Sequence, residues 1–427
     1  MQAKEGDLVE VSTDNEVLKG RLIPGPDKTR IVLKLGSGYN ISLDRKKIKK
    51  IKLIKKYQEK ENAFPFIKTK KGLKTVTILH TGGTLASEVS YETGGVIPRY
   101  TPEELLGKFP EIADIVNVKS RLIRNMWSED INFKHYNLLA KEIVKELRKV
   151  DGVIITHGTD TIGYTAAALS FILEGLEKPV LIVGAQRSSD RGSSDAAFNL
   201  TCAAKFIAES DFGEVAICMH ESMSDDNCLI MPACKTRKLH SSRRDAFKVV
   251  NGKAFARVSK EKITFLRKNY GRIGKNHINI KLFKDVKVGI LKAHPNMKVD
   301  EVRFYRNFDG LVLDGYGLAG NFPINKIDNF TLENEKIYAE LKKLSKKMPL
   351  VATTQTIFGR VNMNVYSTGR KMQDIGILGN YSDMLTETAF IKLAWLLSNF
   401  KKEDVRSLIG ENLRGEISKR ITSEFLE

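Results

Sequence analysis

Four short apolar segments, each followed at once by glycine or polar residues, dominate the middle of this 427-residue chain. They are TVTILHT (75–81), GVIITHGT (152–159), PVLIVGAQ (179–186) and EVAICMH (214–220), and helical patterns separate them. Apolar strands alternate with helices in this way when a parallel sheet is covered on both faces. We therefore predict an α/β fold whose polar residues collect at the carboxyl ends of the strands, where such sheets bind ligands.

A second series of the same kind follows, ahead of a helix from Thr386 to about Phe400. Its strands are KVGILKAHP (287–295), GLVLDGYGLAG (310–320) and PLVATTQT (349–356). The pattern predicts two α/β domains with a parallel sheet in each. We place the first at residues 74–285 and the second, together with a C-terminal tail, at residues 286–427.

Residues 1–56 follow a different hydropathy pattern, because apolar and polar residues alternate there with the period of β-strands. Turn residues such as Pro24-Gly25-Pro26 separate the runs. Five short strands in about 50 residues predict a small β-barrel of the SH3 or Tudor kind, a module that usually binds a partner. Residues 57–73 are charged and have no clear period, so we interpret them as a basic linker.

Positive charge is concentrated at the N-terminal end of the chain. The formal net charge is +19, and residues 1–74 hold 19 basic and 9 acidic side chains, a net of +10. Much of it lies in RKKIKKIKLIKK (45–56). One explanation is a solvated edge strand whose lysines block aggregation; the other is an electrostatic footprint for a polyanion such as RNA. On the charge run alone the first explanation is preferred.

Several classes of protein are disfavoured by what the sequence lacks. No apolar run reaches the roughly 18 residues of a membrane-spanning helix, and the first residues have no signal-peptide pattern, so we expect a cytoplasmic protein. No HExxH is present, and no metal site is indicated. The four cysteines form no CxxC or zinc-ligand spacing and are expected to be free buried thiols: Cys202, Cys218, Cys228 and Cys234.

Three motifs could carry chemistry. Thr81-Gly82-Gly83-Thr84 follows a strand, and its glycines allow positive φ and a close approach of main-chain N–H groups to a ligand. His157-Gly158-Thr159-Asp160-Thr161 lies between another strand and a helix, where an anionic group is favoured. Lys238 in RKLHSSRRDAF could accept a proton. Taken singly, each motif has an ordinary structural explanation. TGGT is typical of a tight turn, Asp160 or Thr161 of a helix N-cap, and Lys238 of a surface charge.

Taken together, the motifs resemble the bacterial-type L-asparaginase/glutaminase family over roughly residues 74–400. The resemblance is carried by TVTILHTGGTLAS, GVIITHGTDTIGYTAAALSFIL, PVLIVGAQRSSDRGSSDAAFNL and SDMLTETAFIKLAWLL. The barrel and the basic linker depart from the free-standing enzymes of that family. They are similar to the archaeal tRNA-dependent amidotransferase subunits that carry the same catalytic unit.

The resemblance implies a threonine amidohydrolase, with roles assigned by motif position. Thr84 would attack the side-chain amide of glutamine or asparagine. Thr159, Asp160 and Lys238 would relay a proton and orient the attacking group. Tyr91, in the loop SEVSYETGG, would close over the substrate and assist Thr84.

The resemblance also implies how the substrate is held. Ser128 and Glu129 of MWSEDI stand where the family has Ser-Gln against the α-carboxylate and α-amine of the substrate. Glu129 departs from that glutamine, which concerns selectivity more than catalysis, because a carboxylate can still pair with an α-ammonium group. Gly83 and Gly158 would bring main-chain N–H groups to the substrate and the developing oxyanion.

The function implied by the resemblance is ammonia supply within a glutamyl-tRNA(Gln) amidotransferase. Ammonia would pass to a partner, the amidotransferase E subunit, which would use ATP and Mg²⁺ to convert Glu-tRNA(Gln) to Gln-tRNA(Gln). This chain would bind no cofactor of its own, and the tRNA footprint on it would be the basic segment 45–74. Asparaginase-like domains assemble through their C-terminal domains, so a homodimer within a heterotetramer is expected.

Two other functions remain open at this level. A free-standing cytosolic L-asparaginase with an added barrel would hydrolyse asparagine alone. A binding protein with a silent asparaginase fold is disfavoured by the intact set of catalytic residue types. The run GYGLAG (315–320) also matches a dinucleotide fingerprint, but no convincing helix follows it, which argues against NAD binding.

Overall fold

The computed structural model describes most of the chain. The described residues are 3–25, 29–37, 39–56, 69–83, 87–89, 96–98, 107, 109–187, 193–274 and 277–420.

The N-terminal unit is a five-stranded antiparallel sheet in the order β4-β3-β2-β1-β5. Its strands are β1 (Leu8–Thr13), β2 (Val17–Ile23), β3 (Arg30–Leu35), β4 (Asn40–Asp44) and β5 (Ile48–Lys55). The alternation that predicts the strands also builds their core, because Val9 and Val11 of β1 pack with Ile31 and Leu33 of β3. Among the described residues β4 and β5 form the two edges, and closure into an SH3- or Tudor-like barrel stays a prediction.

The next unit is built on an eight-stranded sheet in the order β18-β17-β14-β13-β12-β10-β6-β9. The strands from here to its end are β6 (Thr75–His80), β7 (Ser87–Val89), β8 (Val96–Pro98), β9 (Asn117–Leu122), β10 (Gly152–Thr156), β11 (Leu173–Glu174), β12 (Val180–Val183), β13 (Val215–His220), β14 (Cys228–Pro232), β15 (Thr236–Lys238), β16 (Phe247–Val249), β17 (Ala256–Val258), β18 (Ile263–Phe265) and β19 (Asn279–Ile280). Three further pairs, β7 with β8, β11 with β19 and β15 with β16, lie outside the main sheet.

The main sheet is parallel from β9 to β13 and antiparallel beyond it. The expectation of a purely parallel sheet is therefore wrong at this edge. Only residues 221–227 connect β13 to β14, and a parallel crossover needs a dozen residues or more.

Helices cover both faces of this sheet, as the continuous apolar strands predict. They are α1 (Phe133–Leu147), α2 (Ile162–Ile172) and α3 (Ala196–Glu209). Val153 and Ile155 of β10 belong to the apolar cluster that contains α1 and α2, whereas Ile154 belongs to the cluster that contains α3. Each strand residue therefore has an apolar partner on one face or the other.

The C-terminal unit has a three-stranded parallel sheet in the order β20-β21-β22. Its elements are β20 (Val288–Lys292), α4 (Val299–Arg303), β21 (Gly310–Gly315), α5 (Leu332–Lys347), β22 (Leu350–Thr354), α6 (Ser367–Asp374), α7 (Thr386–Asn399) and α8 (Lys402–Leu408). Helix α7 joins the two α/β units, since the ring of Trp395 lies 5.4 Å from that of Phe171 in α2. Within the described residues, no helix combines the length and the apolar character that crossing a membrane requires.

A buried ion pair anchors the tail that follows α8. Lys392 Nζ lies 2.7 Å from Glu416 Oε1, and neither side chain is exposed. Lys392 also donates to the carbonyl of Ile409 (3.0 Å), and Glu416 accepts the N–H of Leu413 (3.0 Å). Both charges are therefore compensated, as burial requires.

The same tail reaches both α/β units. Arg414 Nε donates to the carbonyl of Ser170 at the end of α2 (3.0 Å), and the N–H of Ser418 donates to Asp383 Oδ1 (2.9 Å). Asp383 in turn forms a buried ion pair with Lys235, with Nζ and Oδ2 2.7 Å apart. Residues 414–418 thus connect the second sheet unit to the first.

Replacing Glu416 with glutamine should strongly destabilise the protein. Lys392 would be left as a buried charge without its counter-ion, which costs about 3–5 kcal/mol of unfolding free energy. Urea-unfolding midpoints of the wild type and Glu416→Gln measure the effect. Glu403→Gln removes the same charge at an exposed position of α8 and should leave the midpoint unchanged. Equal midpoints for all three proteins would contradict the assignment.

Candidate active site

Three neighbouring parallel strands, β9, β6 and β10, deliver their following loops to one edge of the main sheet. In the ladder, His80 at the end of β6 is opposite Thr156 of β10 and Leu122 of β9. The three loops that follow hold Gly83, Gly158 and Ser128. The register of the sheet therefore brings three of the predicted substrate-binding residues to the same place.

The turn after β6 is tied to β10 by its first threonine. Thr81 Oγ1 donates to the carbonyl of Thr156 (3.0 Å), and the N–H of Met126 donates to the carbonyl of Thr81 (3.1 Å). Gly82 and Gly83 have φ of +112° and +84°, the backbone conformation that the motif predicts. A Cβ on Gly83 would lie 2.9 Å from the nitrogen of Gly158, so only glycine allows this contact.

The second turn packs in the same way against the third loop. A Cβ on Gly158 would lie 2.8 Å from Cβ of Ser128. Thr161 Oγ1 donates to the carbonyl of Ser128 (2.7 Å). Ser128 is buried and its hydroxyl lies 3.5 Å from Glu129 Oε2, whereas Glu129 itself is exposed. Glu129 is therefore open to solvent beside the buried Ser128, and its role in binding stays a prediction.

Lys238 joins the site from a separate hairpin. It ends β15 opposite the buried Phe247 of β16, and its ammonium group donates to Thr159 Oγ1 (2.8 Å) and to Asp160 Oδ1 (2.9 Å). The Lys238 side chain is 14% exposed, against 68% for Asp160. Three residues that the sequence predicts to act together are thus in direct contact, although Lys238 lies 79 positions after Thr159.

The geometry also distinguishes these residues from a simple helix cap. Residues 159–161 form one turn ahead of α2, and Thr161 is at the N-cap position without a side-chain capping bond. Its hydroxyl is engaged with Ser128, and the carboxylate of Asp160 is engaged with Lys238. The hydroxyl and the carboxylate that could cap α2 are therefore used to join this turn to Ser128 and Lys238.

Thr84 and Tyr91 lie outside the described residues. The described chain stops at Gly83, immediately before Thr84, and Gly83 is the residue in contact with Gly158. Their roles stay predictions.

Two buried histidines support these turns and were not singled out from the sequence. His157 Nδ1 lies 2.7 Å from the carbonyl of Gly158 and its Nε2 lies 2.8 Å from Thr165 Oγ1. His80 Nδ1 lies 2.7 Å from Thr156 Oγ1. Burial lowers the pKa of His157 to about 4 and that of His80 to about 3, so both rings are neutral at pH 7. The sequence feature that could have identified these two histidines is their position at the ends of apolar strands.

A cleft of about 370 Å³ adjoins Asp160 and Lys238 and lies between the two α/β units. Arg237 and Glu387 pair across it, with Nη1 and Oε1 3.2 Å apart. Burial and the carboxylate of Glu387 raise the pKa of Tyr164, in the same wall, to about 12. The cleft is therefore polar and gives the pair Asp160–Lys238 access to solvent.

The cysteines do not offer a competing nucleophile. All four are buried free thiols, as expected. Burial raises the pKa of Cys218, which disfavours the reactive thiolate. Among the described residues, no group of histidine, cysteine and carboxylate side chains is arranged to hold a metal ion.

Gly83→Ala should disrupt the site far more than the same change at Gly72. Both glycines have φ near +90°, so alanine is strained by about 1 kcal/mol at each. Only at Gly83 does the added Cβ meet the main chain, whereas nothing lies within 4 Å of a Cβ on Gly72. The unfolding temperature and the rate of ammonia release should both fall for Gly83→Ala, whereas Gly72→Ala should show only the small drop in unfolding temperature that backbone strain causes. Equal behaviour of the two variants would refute the contact.

The buried histidines predict a loss of stability in acid. Each has a folded pKa below its unfolded value of about 6.5, so below that pH the unfolded chain takes up protons that the folded chain refuses. Stability therefore falls as the pH decreases from about 6.5 towards 4, by about 2 kcal/mol per histidine at pH 5. Urea midpoints at pH 7 and pH 5 test this: His157→Gln should show a smaller difference, and the exposed His277→Gln a wild-type one.

Comparisons with known proteins match all three units of the chain. Three family models match: "Asparaginase, N-terminal" over residues 75–270, "Glutaminase/Asparaginase C-terminal domain" over residues 287–408, and "GatD N-terminal domain" over residues 3–54. Among solved structures, the thermostable L-asparaginase from Thermococcus kodakarensis has 27% identity and a TM-score of 0.71, covering 81% of this chain and 100% of its own. L-asparaginase I from Vibrio cholerae has 27% identity and a TM-score of 0.68, with the same coverage.

Curated relatives extend the match through the N-terminal sheet. The glutamyl-tRNA(Gln) amidotransferase D subunit of Pyrococcus abyssi is 40% identical over 422 residues, 97% of this chain and 93% of that protein. The protein of the same name from Methanococcus maripaludis strain C7 is 39% identical over 428 residues, 98% of this chain and 99% of that protein. The two-domain asparaginase-like α/β fold is confirmed, and the chain belongs to the family of glutamyl-tRNA(Gln) amidotransferase D subunits.

Proposed function

We propose that this chain hydrolyses the side-chain amide of glutamine, or of asparagine, and supplies the ammonia to a partner that amidates Glu-tRNA(Gln). The observation that carries the proposal is the contact of Lys238 with both Thr159 and Asp160, beside the turn that leads to Thr84. The family to which the chain belongs supports the acceptor, because its members are named for glutamyl-tRNA(Gln) amidotransferase.

The hydrogen bonds of Lys238 define what Thr159 can do. Since Thr159 Oγ1 accepts a bond from the lysine, its own hydroxyl hydrogen points elsewhere and can be donated. Asp160 Oδ1 fixes the position of the lysine nitrogen, 2.9 Å away. In the reacting state Lys238 is an amine: it takes up the proton of the nucleophile by way of Thr159, and the ammonium group so formed returns that proton to the leaving nitrogen.

Thr84 is the proposed nucleophile, with Tyr91 closing the loop over the substrate. The hydroxyl oxygen of Thr84 attacks the amide carbon, its proton passes through the relay to the amide nitrogen, and ammonia leaves as an ester forms. Water then cleaves the ester and releases the free carboxylic acid. Main-chain N–H groups at Gly83 and Gly158 stabilise the oxyanion of each step.

The other end of the substrate meets charges of the appropriate sign. The positive end of the α2 dipole and the hydroxyl of Ser128 suit the α-carboxylate. The exposed carboxylate of Glu129 suits the α-ammonium group. These contacts involve only the α-carboxylate and the α-ammonium group, which glutamine and asparagine share. Selectivity between the two therefore depends on how far the side chain extends the amide from those groups.

The remaining steps are assigned to a partner. We propose the amidotransferase E subunit as that partner, with ATP and Mg²⁺ bound there and no cofactor bound by this chain, in a cytoplasmic heterotetramer built on a homodimer. Ile327 and Phe330 of the C-terminal unit are 82% and 96% exposed and lie on one turn, which is typical of a protein interface. A free-standing asparaginase is less well supported, because the solved asparaginases leave about a fifth of this chain unmatched.

The test is ammonia release from glutamine by the purified chain, alone and with the E subunit and Glu-tRNA(Gln). We expect release to rise at least about tenfold in the full mixture, as for a gated donor. Thr84→Ala and Lys238→Met should each lower release by about a hundredfold or more, because each removes a group that acts on the reacting atoms.

Matched variants separate these effects from general damage. Thr264→Ala and Lys262→Met make the same changes at exposed positions of the same domain and should keep wild-type release. Full release by Thr84→Ala would exclude the nucleophile. Rapid asparagine hydrolysis that ignores the partner and the tRNA would favour the free-standing asparaginase.

A further inference from the structure

One edge of the N-terminal sheet carries a dense, uncompensated positive charge. Residues 45–56, here called the basic edge, contain eight basic side chains and no acidic one. All eight are exposed. Among the described residues only Lys49 has a carboxylate partner, with its Nζ 2.5 Å from Asp14 Oδ1. Within the described part of the chain, the other seven cationic groups have no carboxylate partner.

A second basic run, KTKKGLK (68–74), differs because two of its lysines are engaged with the protein itself. Lys70 Nζ lies 2.6 Å from Asp114 Oδ1. Lys74 Nζ donates to the carbonyls of Ile207 (3.0 Å) and Ser210 (3.3 Å). These two lysines are therefore less available to a polyanion than the side chains of the basic edge.

The strand geometry gathers the charges on one face. β5 pairs only with β1 among the described strands, with Lys52 opposite Glu10 and Lys50 opposite Ser12. On the other side of β1, Lys19 is also opposite Glu10. Residues directly opposite one another share a face of the sheet, so one carboxylate stands among three lysines there.

This arrangement exceeds what protection of an edge strand requires. One or two lysines suffice to prevent pairing with another chain, whereas like charges on neighbouring positions repel and lower stability. This repulsion between the lysines is relieved when a polyanion binds, and binding is further favoured because the polyanion releases its condensed counter-ions. The excess of charge therefore favours a ligand over simple solvation.

We propose that the basic edge binds the phosphate backbone of an RNA, and that this RNA is the tRNA of the amidation reaction, an identification that rests on the proposed function. The segment RKKIKKIKLIKK offers only cationic and aliphatic side chains, with no amide, carboxylate or aromatic group to read a base. Recognition at this surface is therefore of backbone charge and independent of base sequence.

The test is the affinity of the full chain for a tRNA(Gln) transcript, measured from about 50 to 200 mM salt. The triple variant Lys50→Gln, Lys52→Gln, Lys55→Gln should bind at least about tenfold more weakly at the low-salt end. Its slope of log affinity against log salt should fall by about two to three, one for each lost phosphate contact. A tRNA of unrelated sequence should lose affinity equally.

A matched triple, Lys342→Gln, Lys343→Gln, Lys346→Gln, removes three exposed lysines from α5 and should keep wild-type affinity and slope. Equal losses in the two triples, or none in the first, would overturn the proposal. So would displacement of the transcript by poly-glutamate at the same charge concentration, which would identify an acidic protein as the ligand. Ammonia release from glutamine, measured on the same preparations, reports on the proposed function separately, and the first triple should retain it.

Discussion

The candidate site depends on the close approach of three loops at two glycines. Gly83 lies against the backbone of Gly158, and Gly158 lies against Ser128, so a Cβ on either glycine would clash. Such contacts are available only where the carboxyl ends of neighbouring parallel strands lie in register, as those of β9, β6 and β10 do. The central strands of the main sheet then hold the polar groups of the three loops close together. Little side-chain entropy has to be lost to position those groups.

The sequence predicts this part of the structure well because its signals are local. An apolar run that ends in glycine and threonine marks both a buried strand and the turn that follows it, so TGGT and HGTDT can be assigned to turns at strand ends from sequence alone. Lys238 is different, since nothing in RKLHSSRRDAF marks it among 70 basic residues. Only the family resemblance identifies it, and the structure shows why: a hairpin of three-residue strands carries it to Thr159 and Asp160.

Other features depend on contacts between distant residues and have no such signal. Lys392 and Glu416 have the sequence context of ordinary surface charges in a helix and a loop, yet both are fully buried against each other. His80 and His157 have the context of strand-end polar residues, and only burial shows that they stay neutral and brace the turns. The antiparallel edge beyond β13 escapes prediction because short connections decide strand direction there, whereas apolar pattern does not.

The C-terminal tail is connected to the lysine hairpin of the candidate site through Asp383. Lys235, three positions before Lys238, is paired with Asp383, and Asp383 is in turn held by the N–H of Ser418. The hairpin that carries Lys238 is thus held by residues from the last part of the chain, first by the ion pair with Asp383 and then by the N–H group that fixes Asp383. A substitution in the C-terminal tail can therefore shift Lys238 without touching the site itself.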